Sequence, residues 1–468
     1  MSSDFFVTPP PTVPPLDPGF RPAVLANRAF LRAVADSGDS VSLVIGLERG
    51  DGSVSRYETL VFAEGSEHAD ANLLYAERVV KFLIWQRGAR RLHIGGPASI
   101  GVYLEACYVE KGLRAFDADF MGHHVYAKPF EVVVCTAEKV PAEKESSAPL
   151  GRHLDGCRIG FDLGASDRKV SAVVDGEAVY SEEVVWEPRK NSDPNYHVDE
   201  VREALKTAAS KMPRVDAIGG SSAGVYINHR PMIASLFRGI SQEDFPVIRD
   251  MFIEFGKEMD VPIAVVNDGE VTALAGAMSL EENGILGIAL GSSEAGGYVT
   301  PEGNITEWLN ELAFAPVDYN PDAARDEWSE DYGVGALYFS QQCVFRLAPA
   351  AGIELPEGEG VTDAERLKHV QGFLEDGHEG ALDIWRSMGI YLGYTLAHYA
   401  DFYDINHVLV LGRCTSGRGG DLLVDGANDV LDREFPELAA QINVQLPDEK
   451  SRRVGQSIAA ASLPQLNS

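Results

Sequence analysis

Short motifs in this chain place an acidic or hydroxyl side chain beside glycines at the end of an apolar run. The first is Asp162 to Lys169, in which Gly164 and Ser166 follow Asp162. Small residues in such a turn let backbone amides and the Ser166 hydroxyl approach phosphate oxygens, and Asp162 could orient a hydrated cation. Taken alone, the motif favours an ordinary tight turn with a solvated aspartate.

The second motif, Val265 to Gly269, ends an apolar run in Asn267 and Asp268. An aspartate at the carboxyl end of a strand projects into the cleft of an open sheet, where it could accept a proton from a hydroxyl that attacks a phosphoryl group. Asp268 could instead cap the helix that is predicted behind it, and the motif alone favours that role. Because one residue can do both, Asp268 is the candidate general base.

Two further motifs combine an apolar run with small residues. The first, Leu290 to Tyr298, supplies Gly291, Ser292, Ser293 and Gly296. Such a loop allows the close backbone approach that a polyphosphate needs, although a flexible turn is the simple alternative. The other run, Val408 to Arg413, contains Gly412, and residues 451–461 add alanines suited to close helix packing. Plain core is the simple alternative there.

The elements that would position these motifs alternate between strand and helix patterns. Beyond residue 157, strands are predicted over 158–161, 170–174, 177–185, 217–218, 263–266, 285–290 and 408–411. Asp175-Gly176 separates two of them and is typical of a hairpin turn. Helices are predicted over 198–212, 270–280 and 382–403. A hairpin sheet, a helix and a strand are thus followed by the same theme again, which predicts an α/β fold.

Two composition shifts divide the chain before these motifs. Residues 1–20 are rich in proline, which favours an extended, disordered arm. Residues 136–157 contain clustered Glu, Lys and Ser between Pro141 and Pro149, and we expect a linker there. Residues 21–135 alternate strand and helix patterns, so we expect a smaller α/β domain of unknown role.

Charge and apolar patterning exclude several classes of function. Asp and Glu number 71 against 40 Lys and Arg, which gives a net charge of −31 and would repel nucleic-acid phosphates and anionic lipid surfaces. We find no apolar run long enough to span a bilayer, and the N-terminus lacks the pattern of a secretory signal. We therefore expect a cytoplasmic protein with no nucleic-acid or membrane partner. The five cysteines are scattered, and we expect reduced thiols.

The motifs occur together in the order, and with the flanking strands, of one known family. Residues 159–461 resemble the ROK sugar kinases, bacterial members of the actin-like kinase superfamily. The resemblance implies a two-lobed actin-like ATPase (ribonuclease H-like) fold over residues 158–465, preceded by the smaller α/β domain. It also implies ATP and Mg²⁺ as cofactors and phosphorylation of a hydroxyl on a sugar or sugar-like molecule. A homodimer is compatible with it.

The resemblance assigns roles to individual residues. Asp268 would be the general base. The residues that bind ATP and its phosphates would be Asp162, Gly164, Ser166, Lys169, Gly291, Ser292, Ser293, Gly296 and Gly412, with Asp162 reaching Mg²⁺ through water. The substrate would contact Asn267, Glu311 and Ser222.

The chain departs from the family at its sugar and zinc motifs. The family motif Glu-x-Gly-His matches Glu311 to Phe314, so Phe314 replaces the histidine, and Tyr338 stands where a second sugar-binding glutamate would be. The zinc loop matches residues 333–336, which contain no cysteine, so we expect no zinc. A helix-turn-helix pattern is missing ahead of the motifs, which argues against a DNA-binding regulator. A nucleotide-binding sensor or scaffold without phosphoryl transfer, and a sugar-independent ATPase, are the alternatives.

Overall fold

The computed structural model describes residues 4–145, 150–164, 167–358, 360–447 and 455–466. The chain folds into two compact units. The large unit comprises Met1–Glu145, Ile288–Gly296 and Trp308–Leu446, and the small unit comprises Ser146–Gly287, Gly297–Glu307 and Pro447–Ser468. The region ahead of residue 145 is therefore continuous in packing with residues 308–446.

Helices and strands alternate along most of the chain. The strands are β1 Ser40–Glu48, β2 Val54–Phe62, β3 Arg91–Gly95, β4 Glu131–Cys135, β5 Cys157–Leu163, β6 Asp167–Val174, β7 Glu177–Val185, β8 Ala217–Ser222, β9 Val225–Ile227, β10 Arg230–Ile233, β11 Ile263–Asn267, β12 Ile285–Leu290, β13 Glu294–Val299, β14 His407–Leu411 and β15 Asn443–Gln445. The α-helices are α1 Ala23–Ser37, α2 Ala71–Arg87, α3 Ala98–Cys107, α4 Ala115–Asp119, α5 Pro194–Ala209, α6 Phe245–Met259, α7 Asp268–Leu280, α8 Gln341–Leu347, α9 Asp363–Glu375, α10 Glu379–Tyr399, α11 Arg418–Glu434, α12 Pro436–Ala439 and α13 Gln456–Ala461. Among the described residues, no helix is long and apolar enough to cross a membrane.

The small unit is built on a five-stranded sheet of order β11-β8-β5-β6-β7. Strands β11, β8 and β5 are parallel. Strands β6 and β7 form the antiparallel hairpin predicted around Asp175-Gly176, and β5 pairs antiparallel with β6. Because parallel strands end at the same edge of a sheet, the carboxyl ends of β5, β8 and β11 lie side by side. In this register Asp162 is the partner of Ser221, and Ser222 is the partner of Asn267.

The two faces of this sheet are covered by different helices. Phe161 stacks on Phe252 of α6 within a core that α5 also joins. Successive strand residues point to opposite faces, so Gly160 faces the other side, where α13 packs. A Cβ added at Gly160 would lie 1.6 Å from the Ser457 carbonyl oxygen, and one at Gly219 would lie 1.7 Å from that of Ala460. Both glycines are therefore required for the close packing of α13, whereas residues 451–454 of the segment expected to pack closely lie outside the described residues.

The large unit contains two four-stranded sheets, β2-β1-β3-β4 and β13-β12-β14-β15. The first corresponds to the strand patterns predicted between residues 21 and 135. The second carries the Gly291 and Gly412 motifs at the ends of β12 and β14, and α10 packs along α11 beside it. The chain passes between the units within β12 and within β13.

The proline-rich segment, which we expected to be a disordered arm, is packed against the large unit over residues 4–20. The Thr12 amide donates to Tyr394 Oη at 3.1 Å, and the Leu16 amide donates to Ser387 Oγ at 3.2 Å. Phe20 is fully buried, with its ring centroid 4.7 Å from that of Tyr391. Phe20, which follows Pro18, buries its ring, and the partners of Thr12, Leu16 and Phe20 named here lie more than 300 residues away in sequence.

The expected linker is only partly a linker in the structure. Lys144 pairs with Val54 of β2 through an isolated bridge, and Glu145 accepts hydrogen bonds from Arg49 and Ser55. Residues 146–149 lie outside the described residues, and β5 begins at Cys157. The first half of this segment thus belongs to the packed large unit.

Candidate active site

Asp162 ends the apolar core of β5 and is only 8% exposed. Ser221, its neighbour on β8, donates a hydrogen bond of 2.7 Å from Oγ to Asp162 Oδ1. Burial raises the pKa of Asp162, while this hydrogen bond and the charge of Lys169 act in the opposite direction. A carboxylate held in this way at a strand end is a firm, oriented acceptor rather than a solvated turn residue.

Asn267 is the cap of α7, which leaves Asp268 as the first residue of that helix. The Asn267 Oδ1 accepts a 2.7 Å hydrogen bond from the Gly269 amide, and its Nδ2 donates at 2.7 Å to the Gly224 carbonyl. The alternative in which Asp268 is the helix cap does not hold, although Asp268 Oδ1 also accepts from the Gly269 amide at 3.0 Å.

Electrostatics place Asp268 in a range suited to proton transfer near neutral pH. Burial raises the pKa of Asp268 to about 6, and the charge of Asp162 adds to the rise. A general base works best when its pKa lies near the working pH, because it is then mostly ionised and still basic. The coupling also indicates that the two carboxylates are close enough to repel each other.

Ser222 and Tyr226 add two hydroxyl groups to this end of the sheet. Ser222 is fully buried at the end of β8, beside Asn267 in the register. The Tyr226 Oη is also buried, and neither hydroxyl makes a well-formed hydrogen bond within the described residues, although Ser222 lies near enough to lower the pKa of Tyr226. Sequence reasoning named Ser222 but missed Ser221 and Tyr226. An apolar-flanked tyrosine carries no signal of its own, whereas the doublet Ser221-Ser222 at a strand end could have suggested Ser221.

The remaining residues of the first phosphate motif lie around the β5–β6 turn. Gly164 donates its amide to the Asp167 carbonyl at 2.9 Å. Lys169 is the cross-strand partner of Asp162, and its Nζ lies 3.8 Å from Asp167 and 4.0 Å from Glu183. Ser166 lies outside the described residues.

The loop from Gly291 to Gly296 lies near Gly412 in the large unit, and both were expected to bind ATP or its phosphates. Gly412 has φ 99°, and a Cβ there would lie 2.4 Å from the Leu290 carbonyl oxygen, so only glycine fits against the end of β12. The Gly291 amide donates to Ser293 at 3.1 Å, and the Gln342 side chain donates to the Ser292 carbonyl at 3.3 Å. Gly296 approaches the Asn310 carbonyl in the same way as Gly412 approaches Leu290, with a Cβ distance of 2.7 Å.

The positions that would bind a sugar in the resembled family are occupied differently here. The Glu311 amide donates to the Trp85 carbonyl at 3.0 Å. Phe314 lies in an aromatic cluster whose other members are Trp85, Phe116 and Phe120, with ring centroids 4.4 Å apart for Phe314 and Trp85. Tyr338 is buried and donates a 2.6 Å hydrogen bond to Asp318. Phe314 thus packs against N-terminal residues, as does Tyr338 against Phe20.

Asp162 has the position and hydrogen bonding of a carboxylate that could hold a hydrated magnesium ion. Within the described ranges, no three His, Cys, Asp or Glu side chains converge as a metal cluster. Mg²⁺ keeps several of its waters and usually takes only one or two carboxylates from the protein. Asp162, an oriented carboxylate with the Ser221 bond on one oxygen, fits that requirement.

Comparison with known proteins identifies the fold. No family model and no curated protein sequence matches the chain. Among solved structures, a ROK hexokinase from Thermus thermophilus superposes with a TM-score of 0.50 at 16% identity, over 65% of this chain and 97% of that one. The chain has the ROK sugar-kinase fold.

Other ROK structures match over similar ranges. A ROK glucokinase from Streptomyces griseus, solved with glucose and AMPPNP, is 19% identical with a TM-score of 0.46, over 65% of this chain and 98% of that one. A ROK family transcriptional regulator, a homologue of an Escherichia coli protein, is 16% identical with a TM-score of 0.48, over 70% and 81%. The predicted actin-like ROK fold is confirmed, and at these identities the likeness concerns the fold alone.

Proposed function

We propose that this protein transfers the terminal phosphoryl group of Mg-ATP to a hydroxyl of a sugar or sugar-like molecule, with Asp268 as the general base. The observation that carries the proposal is the state of Asp268. It starts α7 at the carboxyl end of β11, Asn267 caps the helix in its place, and burial raises its pKa to about 6. Such a carboxylate is suited to accept a proton from an attacking hydroxyl.

The nucleotide half of the proposal rests on the glycine-containing motifs. The proposed ligands of ATP and its phosphates are Asp162, Gly164, Ser166, Lys169, Gly291, Ser292, Ser293, Gly296 and Gly412. Asp162 would hold Mg²⁺ through water. The bound metal would neutralise charge on the phosphate oxygens, which is its usual contribution to phosphoryl transfer.

The chain's own residues must orient the acceptor and remove the proton from its attacking hydroxyl. Asn267, Ser222 and Glu311 are the proposed ligands that orient the acceptor. Asp268 takes the proton of the acceptor hydroxyl. The oxygen of that hydroxyl bonds to the terminal phosphorus of ATP as the bond from this phosphorus to ADP breaks. Most of the rate comes from this alignment and from fixed charges, because phosphoryl transfer leaves little covalent chemistry to the protein.

Packing at Phe314 and Tyr338 limits the choice of acceptor. Phe314 and Tyr338 stand where the resembled family has the histidine and the glutamate that contact glucose, so neither contact is available here. Both side chains pack against N-terminal residues. We therefore propose an acceptor other than an ordinary hexose held by those contacts.

The same packing favours a second candidate, a nucleotide-binding sensor or scaffold without phosphoryl transfer. In that case residues 21–135 would have displaced the sugar subsite altogether, and Asp268 would serve no acceptor. A third candidate, a sugar-independent ATPase, differs in that Asp268 would activate water.

A coupled ADP-release assay with Mg-ATP tests the three candidates. The panel contains hexoses, N-acetylhexosamines and polyols, and the variants are Asp268→Asn and, as a matched control, Asp199→Asn on the exposed face of α5. The kinase predicts acceptor-dependent ADP release that falls by about 100-fold or more in Asp268→Asn and is unchanged in Asp199→Asn.

The other outcomes separate the alternatives. ADP release that needs no acceptor identifies an ATPase. Calorimetric ATP binding without any release, in the wild type and in both variants, identifies a sensor or scaffold and contradicts the kinase.

A further inference from the structure

Two buried hydroxyl groups, on Ser222 and Tyr226, lie close to each other beyond the end of β8, and within the described part of the chain neither makes a well-formed hydrogen bond. Buried polar groups are nearly always paired, because a donor or acceptor that loses water without gaining a partner weakens the folded state. Two such groups, one at the end of β8 and one in the short strand β9 that follows it, therefore indicate a place for a polar ligand or an ordered water.

The loop that joins these two residues is held in place rather than free. Asn267 donates from Nδ2 to the Gly224 carbonyl at 2.7 Å, which ties the loop to the end of β11. Gly224 has φ 127°, and a Cβ there would lie 2.4 Å from the Ile233 carbonyl oxygen. The loop therefore requires glycine at position 224, and its conformation sets the position of β9 and so of the Tyr226 side chain.

The Tyr226 ring is positioned by Phe252 of α6, at a centroid distance of 6.2 Å. Burial raises the pKa of Tyr226, and the charge of Asp268 raises it further. The phenol therefore stays protonated at neutral pH, where it can donate a hydrogen bond, and it lies near the Asp268 carboxylate. The Ser222 hydroxyl lies near enough to that of Tyr226 to act as a weak hydrogen-bond partner, which lowers the pKa of Tyr226, but the contact is not a well-formed hydrogen bond.

We propose that the Ser222 and Tyr226 hydroxyls bind a second oxygen of the acceptor, beside the hydroxyl that Asp268 deprotonates. The proposal rests on the proposed kinase function and narrows it to acceptors with two hydroxyl groups close together. Tyr226 acts as donor and Ser222 as donor or acceptor, so the pair matches an alcohol and would reject an analogue that lacks it.

The test combines kinetics and calorimetry on the full chain. The variants are Tyr226→Phe and Ser222→Ala, with Tyr180→Phe as the matched control, because Tyr180 is on β7 at the opposite side of the sheet. The probes are glucose, mannose, N-acetylglucosamine, glycerol and sorbitol, together with the deoxy analogues of whichever probe binds most tightly, each lacking one hydroxyl. Turnover is followed by ADP release, and binding without turnover by titration calorimetry.

We expect Tyr226→Phe to raise the acceptor KM by roughly tenfold while kcat changes by less than about twofold, as for loss of one hydrogen bond in a binding site. Wild-type protein should bind one deoxy analogue about tenfold more weakly than the parent, and Tyr226→Phe should lose that discrimination. The melting temperature of Tyr226→Phe should equal or exceed the wild-type value, since no well-formed hydrogen bond within the described residues is removed. Tyr180→Phe should change neither KM nor discrimination.

Failure of this inference can be told apart from failure of the kinase assignment. If ADP release is acceptor-dependent but Tyr226→Phe and Ser222→Ala keep wild-type KM and discrimination, the hydroxyls bind water only and the inference is overturned. If no probe is phosphorylated yet calorimetry shows binding that Tyr226→Phe weakens, the kinase function fails, and only the assignment of the Ser222 and Tyr226 hydroxyls as ligands of a bound polyol stands. Lack of binding by every probe overturns it as well.

Discussion

The Ser221 hydroxyl donates to Asp162 Oδ1 at 2.7 Å, across two parallel strands of the small unit. Asp162 and Ser221 are register partners, so the contact follows from the pairing of β5 with β8. It turns an aspartate that the sequence alone would leave in solvent into a buried, oriented carboxylate. The negative charge of Asp162 lies near Asp268 and raises the pKa of Asp268.

Ser221→Ala should weaken both the fold and the nucleotide site. Loss of a hydrogen bond to a buried carboxylate typically costs about 1.5–3 kcal/mol of unfolding free energy. The pKa of Asp162 should rise further, because the Ser221 donor lowers it in the wild type. Urea denaturation and calorimetric titration with Mg-ATP measure the two effects. Ser210→Ala, on an exposed helix end, is the control, and equal behaviour of the two variants would contradict the role of Ser221.

The acid limb of turnover should report Asp268. A general base works in its ionised form, and burial together with Asp162 holds the pKa of Asp268 at about 6. We therefore expect kcat/KM for the best acceptor to rise with pH through a midpoint near 6 and to level off above it. A pH–rate profile of ADP release from pH 5 to 8 measures this midpoint. A flat profile would argue against Asp268 as the base.

The same raised pKa makes a prediction about stability. The folded state holds the Asp268 proton more tightly than the unfolded state, whose carboxyl titrates near 3.8. Wild-type stability from this group is therefore full below pH 4 and is lost as pH rises through about 6. Asp268→Asn lacks the ionisation and should gain roughly 2–3 kcal/mol relative to wild type between pH 4 and 7. Urea denaturation across this range measures the difference, and a constant difference would exclude a raised pKa.

Close packing of α13 gives a prediction that needs no assumption about function. Gly160→Ala and Gly219→Ala each force a Cβ against a backbone carbonyl, at 1.6 and 1.7 Å. Backbone atoms cannot rotate away, so we expect each change to cost more than about 3 kcal/mol of unfolding free energy. Gly455→Ala is the matched control, because no heavy atom lies within 4 Å of its added Cβ. Thermal unfolding compares the three, and similar melting temperatures would contradict the packing.

Parts of this molecule could be predicted from sequence because they are local. The β5–β6–β7 hairpins, the strand before Asn267 and the placement of Asp162 and Asp268 at strand ends follow from apolar runs and turn residues. Tyr226 could not be found that way, since its surroundings depend on how Asn267 anchors the Gly224 loop. The packing of Phe20 on Tyr391 was equally out of reach, because proline-rich composition describes the local chain and not partners far along it.

The charged residues of helix α2 also have surroundings that local sequence patterns could not predict. Its charged residues are typical of a solvated face, yet they join a fully buried network of three cations and three anions, namely Glu77, Arg78, Lys81, Arg114, Asp117 and Asp331. Asp331 accepts from Arg78 at 3.1 Å and lies 2.9 Å from Arg114 Nη1. It is the one member of the network from residues 308–446, so it fastens the N-terminal region within the large unit.

Asp331→Asn should therefore loosen the N-terminal region. Removing one partner leaves uncompensated buried charge, which typically costs about 3–5 kcal/mol. Glu254→Gln is the control, because its exposed pair with Lys257 should be worth less than about 1 kcal/mol. Urea denaturation measures the stability, and hydrogen exchange should rise across α2 and α4 in Asp331→Asn but not in Glu254→Gln. If residues 1–145 formed an independently stable domain, exchange there would stay at its wild-type rate, and the shared packing of this region with residues 308–446 would have to be abandoned.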